Sequence, residues 1–238
     1  MTKYNKKKHF LLFFCLFLAM TVLFPSCTDF FSTSWASWAA RNPSGLIPTV
    51  TLDNLNELIE ISENDPDLSL ELLTGIAEAL NGASDEEKEE LQAAAVEVAI
   101  NAVGLGQTII SAAGAIANIK TAEDAKIVAI DVINRMPNLE ETSSVLFDIL
   151  NDADAFQTFI NNASLEDIAM TAILIFAGEA KNSGDVEYFV AHFNPNPDPA
   201  DEPELALAVD LAKYIVGSGR ESELPDSLQN ILDGLNLI

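Results

Sequence analysis

Basic residues are scarce in this chain. Its 238 residues include 12 Lys and Arg against 37 Asp and Glu, which gives a formal net charge of -25. Proteins that bind DNA or RNA use clustered Lys and Arg to displace counterions from the phosphate backbone. We therefore expect no nucleic-acid partner, and a surface that either attracts a basic partner or serves solubility alone.

The first 26 residues have the layout of a secretory signal. Lys3 and the lysines at 6–8 precede the apolar run Phe10–Phe24, which carries no charge and is short for a bilayer span of about 20 residues. The run ends in the sequence LFPSC, where a small residue precedes Cys27. This arrangement resembles the lipobox of bacterial lipoproteins. The resemblance implies cleavage before Cys27, acylation of its sulfur with chains such as palmitate, and a lipid anchor on the periplasmic or outer surface of the bacterial cell envelope.

Two other interpretations of this N-terminus stay open, namely a secretory signal cut elsewhere, for example near Ala36, and a retained anchor helix. Most lipoboxes have Leu three residues before the cysteine, whereas Phe24 stands there in this chain, with Leu23 one position further back. Cleavage before Cys27 would remove four lysines and no acidic residue, changing the formal net charge from -25 to -29. It would also leave Cys27 as the only cysteine, so the fold would form without a disulfide.

The residues available for catalysis are few. Beyond residue 26, His192 is the only histidine and Cys27 the only cysteine, which excludes an HExxH site, a Cys/His zinc cluster and a Cys-His nucleophile pair from that part of the chain. Neither GxGxxG nor GxxxxGK[ST] occurs, and no serine has the GxSxG spacing of a nucleophile elbow. We interpret His192 as a surface or helix-end histidine, and we expect no enzymatic activity, no cofactor and no metal site.

Residues 27–50 are predicted to form an acylated tether with a first short helix. Phe31, Trp35 and Trp38 follow the i, i+4, i+7 spacing that places side chains on one side of a helix. This membrane-proximal stripe would either lie in the interface beside the acyl chains, where Trp is favoured, or dock on the helical body. The second interpretation is preferred because Arg41 is the only basic residue nearby.

Residues 51–238 are predicted to form one compact, all-α domain of many helices, either hairpin-like or solenoid-like. Apolar residues recur at helical spacing, and no stretch alternates as a half-buried strand does. Three helix starts have capping-box spacing: Ser84 with Glu87, Thr121 with Asp124, and Ser164 with Asp167. Further helices are expected at Leu52–Ser62, Leu68–Leu80, Leu139–Leu150, Val186–Phe193, Leu205–Val216 and Leu228–Leu235.

The segment 84–118 is predicted to be the central apolar helix. Beyond its charged first turns it is apolar or small on all sides, so it must be surrounded by other helices. We expect its glycines to let neighbouring helices approach closely, with a kink near Gly104 and Gly106. The uncharged run Val98–Asn118 is long enough to span a membrane, but its Asn, Gln, Thr and Ser residues favour a buried core helix.

Two further patterns leave alternatives open. The residues Asn, Ala, Ser and Glu at 81–86 recur at 161–166, which indicates either an 80-residue repeat or two helix caps with the same chemistry. The oxygen-rich loop 194–203 would hold calcium weakly or serve as a proline-stiffened connector; it lacks the glycine and glutamate of an EF-hand.

These observations favour a non-enzymatic interaction or scaffold module, lipid-anchored in the bacterial envelope, whose protein partner the sequence does not identify. The alternative is a binding protein that holds an apolar or small ligand between its helices, in a cavity lined by Ile100, Val103, Ile110 or Phe176.

Overall fold

The computed structural model describes residues 47–116, 121–220, 223–235 and 237. The predicted lipidation site Cys27 and the aromatic stripe of Phe31, Trp35 and Trp38 lie outside the described residues. Residues 47–238 form one compact unit. Its start is fixed by Ile47 and Val50, which pack on the hydrophobic core, with a Val50 methyl against Gly75.

The described part of residues 47–238 contains helices and no strand, which confirms the predicted all-α class. In chain order the helices are α1 (Leu52–Ser62), α2 (Pro66–Leu80), α3 (Asp85–Ala102), α4 (Leu105–Ile116), α5 (Ala122–Arg135), α6 (Leu139–Leu150), α7 (Ala153–Asn162), α8 (Leu165–Asn182), α9 (Val186–His192), α10 (Pro203–Ser218) and α11 (Asp226–Gly234). Helix α7 was not predicted, although Phe156, Phe159 and Ile160 follow helical spacing after an Asp152 cap.

All three predicted helix starts are present. Ser84 Oγ accepts a hydrogen bond from the Glu87 backbone, and Glu87 accepts one in return from the Ser84 backbone N–H. Thr121 and Asp124 form the same reciprocal pair at α5. At α8, Ser164 Oγ accepts from the Asp167 backbone and donates to the Asp167 carboxylate. These bonds pair backbone groups that a helix start would otherwise leave without partners.

The predicted segment 84–118 is interrupted where the kink was expected. Helix α3 ends at Ala102 and α4 begins at Leu105, with Gly104 between them at a φ of +56°. A residue with a Cβ rarely adopts this left-handed conformation, so glycine is needed for the break. No described helix is both long and apolar enough to cross a membrane.

Two helices of 18 residues share the centre of the described domain. Helix α3 packs on α1, α2, α4, α6, α7 and α8, and eight of its residues are buried. Helix α8 packs on α3, α5, α6, α9, α10 and α11, and twelve of its residues are buried. Phe176 of α8 is fully buried and meets the rings of Phe189 and Phe193 edge-on, at centroid distances of 5.5 and 5.0 Å.

The glycines of segment 84–118 were expected to let neighbouring helices approach closely, and they differ in this respect. A Cβ at Gly104 would lie 3.5 Å from Pro137 and 3.8 Å from Pro66, whereas a Cβ at Gly106 would have no atom within 4 Å. A Cβ at Gly178 of α8 would overlap the Ser143 side chain and lie 3.3 Å from the Leu139 carbonyl oxygen of α6. Gly178 therefore allows the backbones of α6 and α8 to come close together.

Candidate interaction site: an acidic face between α2 and α6

His192 lies where the sequence indicated, exposed in the last turn of α9. Its Nδ1 is 2.9 Å from the Tyr188 carbonyl oxygen, and its ring stacks on the exposed Tyr188 ring at a centroid distance of 4.1 Å. These contacts are all local to one turn of α9, which confirms the interpretation as a helix-end histidine.

The connector between α9 and α10 uses its own oxygen atoms to fix its turns. Asn194 Oδ1 accepts from the Asn196 backbone, and Asp198 Oδ1 accepts from the Ala200 backbone. The Asp198 carbonyl accepts from the backbones of Asp201 and Glu202. Among the described residues, no group of three or more His, Cys, Asp or Glu side chains is placed to hold a metal ion.

The largest groove described here, which we call the α2–α7 groove, has a volume of about 1070 Å³ and is open to solvent. Its walls are one stripe each of α2, α3, α6 and α7. On α3 the stripe consists of Asp85, Lys88 and Gln92, at spacings of three and four residues that put them on one side of the helix. Five carboxylates line this groove: Glu78 of α2, Asp85 at the start of α3, Asp148 near the end of α6, and Asp152 and Asp154 at the start of α7.

A second groove continues from the first. This α8 groove has a volume of about 560 Å³ and lies between α2, α6, α8 and the start of α10. Thr74 of α2 and Val145 of α6 line both grooves. The two grooves are therefore neighbours along the same pair of helices, since α2 packs directly on α6.

Together the two grooves form what we call the acidic face. Its carboxylates are Glu78, Asp85, Glu140, Glu141, Asp148, Asp152, Asp154, Glu179 and Glu204. Of the described Lys and Arg residues, Lys88 alone lines either groove, and its Nζ lies 3.4 Å from Asp85 Oδ1. Nine carboxylates and one ammonium group leave a strongly negative potential along this side, which attracts cations over a Debye length of about 8 Å at physiological salt.

The floor of the α2–α7 groove contains a buried amide with an unused acceptor. Gln92 is only 3% exposed, and its Nε2 donates to the Ala155 carbonyl of α7 at 3.1 Å. Its Oε1 is buried and has no hydrogen-bond partner. The bond to Ala155 fixes the orientation of the amide, since the flipped amide would bring two oxygen atoms together. A buried acceptor without a partner costs about 1–3 kcal/mol, so this atom is an unusual feature of the core.

Glu179 of α8 is the carboxylate of the acidic face whose pKa is raised by its surroundings. Its pKa is raised, first by burial of the half-exposed side chain and then by the charge of Glu204, with a smaller contribution from Glu202; a hydrogen bond with Asn182 opposes this increase. Burial and the charge of Glu204 thus both disfavour the ionised form of Glu179. A bound cation would relieve the repulsion between these two carboxylates.

The positions named for an internal ligand cavity are separated in the structure. Val103 and Phe176 are fully buried in the packed core, whereas Ile100 lines an open groove of about 650 Å³ beside the break between α3 and α4. We call the groove lined by Ile100 the α4 groove; Leu105, Gln107 and Thr108 also line it. The side chain of Ile110 lies outside the described part.

Sequence reasoning did not find the acidic face. Its carboxylates run from Glu78 to Glu204 along an acidic chain, and only the packing of several helices brings them together. One signal was available, namely Gln92, an uncharged polar residue between Leu91 and a run of alanines in an otherwise apolar stripe.

The chain matches no protein-family model, no curated protein and no solved structure at a significant level.

Proposed function

We propose that this protein is a lipid-anchored bacterial envelope protein that acts without catalysis, as an interaction or scaffold module whose acidic face binds a basic partner protein. The observation that carries the proposal is the distribution of charge: nine carboxylates and one lysine line two adjoining grooves on one side of the domain. The lipobox-like sequence around Cys27 supports the anchoring.

The arrangement of the core agrees with a function that depends on contact. The large side chains of α8 are packed inside, and the described grooves are open to solvent. Charged residues that face a partner steer association and set specificity more than they add affinity. A partner with a basic segment would therefore be selected by this face, while anionic surfaces and nucleic acids would be repelled.

Affinity isolation of the tagged full chain from its native envelope tests the proposal. A variant with Asp148→Asn, Asp152→Asn and Asp154→Asn removes three charges from the acidic face, and Asn at 152 retains the helix cap of α7. The matched control is Glu57→Gln, Glu60→Gln and Glu123→Gln, which removes the same charge from exposed positions outside both grooves. We expect one basic companion with the wild-type and control chains, and its loss from the groove variant.

Recovery of the same companion with the groove variant would contradict the proposal, as would recovery of no companion with any chain. The anchor is tested separately by mass spectrometry of the N-terminal peptide from membrane extracts. An acylated Cys27 supports it, whereas an unmodified cysteine or an N-terminus near Ala36 would overturn it.

The alternative, a binding protein for an apolar or small ligand, has one observation in its favour. Ile100 and Leu105 line the α4 groove beside polar side chains, which is the mixed lining that small ligands use. Co-purification of a lipid or small molecule that is lost on Ile100→Ser would favour this candidate over the scaffold.

A further inference from the structure

We infer that the α4 groove is a peptide-binding site, which takes a short, extended and uncharged segment of a partner protein and recognises the amide groups of its backbone. The α4 groove lies beside the break between α3 and α4, and none of its lining residues lines either groove of the acidic face. The inference therefore goes beyond the proposed function and does not depend on the acidic face.

The first observation is an open glycine in the first turn of α4. Gly106 lines the groove, and a Cβ placed on it would have no atom within 4 Å. Its φ is not in the left-handed region, in contrast to that of Gly104. Glycine destabilises a helix relative to alanine, so neither the helix nor its packing accounts for this residue. A ligand that approaches the backbone closely accounts for it, because a side chain at 106 would take up the open space beside the groove.

The second observation is a set of unpaired carboxamides. The side chains of Asn64, Asn101 and Gln107 line the groove and form no hydrogen bond with the described residues. They come from the turn after α1, the last turn of α3 and the first turn of α4, so the fold brings them to one place. A carboxamide has the carbonyl acceptor and N–H donor of a peptide bond, so it can pair with the N–H and C=O of a peptide backbone.

The third observation is the charge of the lining. One carboxylate, Glu63, and one guanidinium, Arg135, line the α4 groove, and Arg135 Nη2 already lies 2.8 Å from Asp131 Oδ2. The formal charge of the lining is zero in a chain with a formal charge of -25. A charged ligand therefore gains little net attraction here, whereas a neutral ligand with both donors and acceptors can pair with the carboxamides.

The apolar part of the lining favours a peptide over a sugar. Pro66, Ile100, Leu105 and Pro137 lie beside the carboxamides, and no aromatic ring is among the described lining residues. Aliphatic side chains of a peptide can pack on such a surface, whereas sugar rings usually stack on aromatic side chains. The volume of about 650 Å³ suits a ligand of a few residues, since small-ligand sites measure about 300–1,000 Å³.

Isothermal titration calorimetry of the purified full chain with the blocked pentapeptide acetyl-Ser-Leu-Ser-Leu-Ser-amide tests the inference. The comparison ligand is the depsipeptide in which esters replace two central amides, which removes two N–H donors and keeps the side chains. We expect the pentapeptide to bind and the depsipeptide to bind about tenfold more weakly, because two neutral hydrogen bonds are lost. Maltotriose, an uncharged ligand with hydroxyl groups in place of amides, should not bind.

Gly106→Leu gives a test that misfolding cannot imitate. Leucine favours a helix more than glycine does and has open space at 106, so the melting temperature should stay the same or rise. The new side chain should obstruct the ligand and weaken pentapeptide binding by about tenfold. The matched control is Gly217→Leu in α10, where a Cβ also has no atom within 4 Å; it lies outside the groove and should leave affinity unchanged.

Gln107→Met removes one carboxamide and keeps the length of the side chain. We expect it to weaken pentapeptide binding by about fivefold, the effect of one or two neutral hydrogen bonds. Gln157→Met is the matched control, because Gln157 is also an exposed glutamine but lines the α2–α7 groove. This control should leave affinity unchanged.

Four outcomes would overturn the inference: no binding of the pentapeptide, equal affinity for the pentapeptide and the depsipeptide, tighter binding of maltotriose than of the pentapeptide, or unchanged affinity in Gly106→Leu. Failure of this inference also differs from failure of the proposed function. If the basic companion is recovered through the acidic face but the pentapeptide does not bind, the scaffold proposal stands and the peptide site is wrong. If the pentapeptide binds as expected but no companion is recovered, the peptide site stands and the scaffold proposal is wrong.

Discussion

Helices α3 and α8 have the same length and the same kind of start, yet they occupy different environments. Each has 18 residues, and each follows a serine N-cap with an acidic residue at the third position, within the repeated Asn, Ala, Ser and Glu pattern. Helix α8 buries twelve residues, while α3 buries eight and exposes the charged turns that line the acidic face. A cap determines where a helix begins, and the residues after it determine what covers the helix.

The neighbours of the two helices also differ. Helix α2, which precedes α3, packs along it, whereas α7, which precedes α8, packs on α3 and α6. A true repeat of 80 residues would place the preceding helix in the same way in both copies. This difference favours the interpretation that the recurring residues are two caps with the same chemistry.

The largest expected effect is the loss of stability when one buried leucine in α8 or in α3 is replaced by alanine. We expect Leu174→Ala in α8 to lower the free energy of unfolding by about 4 kcal/mol, and Leu91→Ala in α3 by about 3 kcal/mol, because both leucines are buried and α8 has less room to relax. Urea unfolding of the full chain measures both values. A larger loss for Leu91→Ala would make α3 the more constrained of the two helices.

The next effect concerns the contact between α6 and α8. We expect Gly178→Ala to lower the free energy of unfolding by about 2–3 kcal/mol, since its Cβ would overlap the Ser143 side chain and the neighbouring backbone leaves little space. Gly106→Ala in α4 is the matched control and should be neutral or stabilising by up to about 1 kcal/mol.

The double variant Gly178→Ala with Ser143→Gly removes the overlap and should recover part of the lost stability. No recovery would show that the strain comes from the Leu139 carbonyl, 3.3 Å from the new Cβ, instead of the serine.

The smallest expected effect is the pH dependence of stability that comes from two glutamates whose pKa values shift in opposite directions. At α3, hydrogen bonds from the Ser84 backbone and hydroxyl lower the pKa of Glu87. The ionised Glu87 therefore stabilises the fold above the ordinary pKa of 4.5, and this stabilisation is lost as pH falls through the pKa of the folded state. At α8, burial and Glu204 raise the pKa of Glu179, so its ionisation destabilises the fold as pH rises from 4.5 through the folded value.

We therefore expect Glu179→Gln to raise the melting temperature at neutral pH and to leave it unchanged near pH 4. Glu87→Gln should lower it slightly at neutral pH, because the glutamine still accepts from the Ser84 backbone but carries no charge. Melting curves across this pH range distinguish the two cases. A destabilised Glu179→Gln at neutral pH would show that its hydrogen bond with Asn182 outweighs the repulsion.

Prediction from the sequence succeeded where the signal is local. Helix caps at Ser84, Thr121 and Ser164 and the break at Gly104 depend on residues within one turn of one another, so their spacing was sufficient. It missed α7, and it expected close helix contacts at the glycines of segment 84–118, whereas the tightest one is at Gly178. The partner across that contact, Ser143, is 35 positions away from Gly178 in the chain, and no local pattern identifies it.

The candidate site was not predicted from the sequence for the same reason. Acidic residues are so common in this chain that no single one indicates a site. Gln92 stands out only in the folded structure, where its Nε2 donates to the Ala155 carbonyl of α7 and its Oε1 has no hydrogen-bond partner.

The sequence by itself determined the all-α class, the capped helix starts at Ser84, Thr121 and Ser164, and the charge, because propensity, capping and composition act over a few residues. Only the tertiary structure decided which carboxylates share a groove, which glycine separates two helices and which buried amide lacks a partner, because these depend on contacts between residues far apart in the chain.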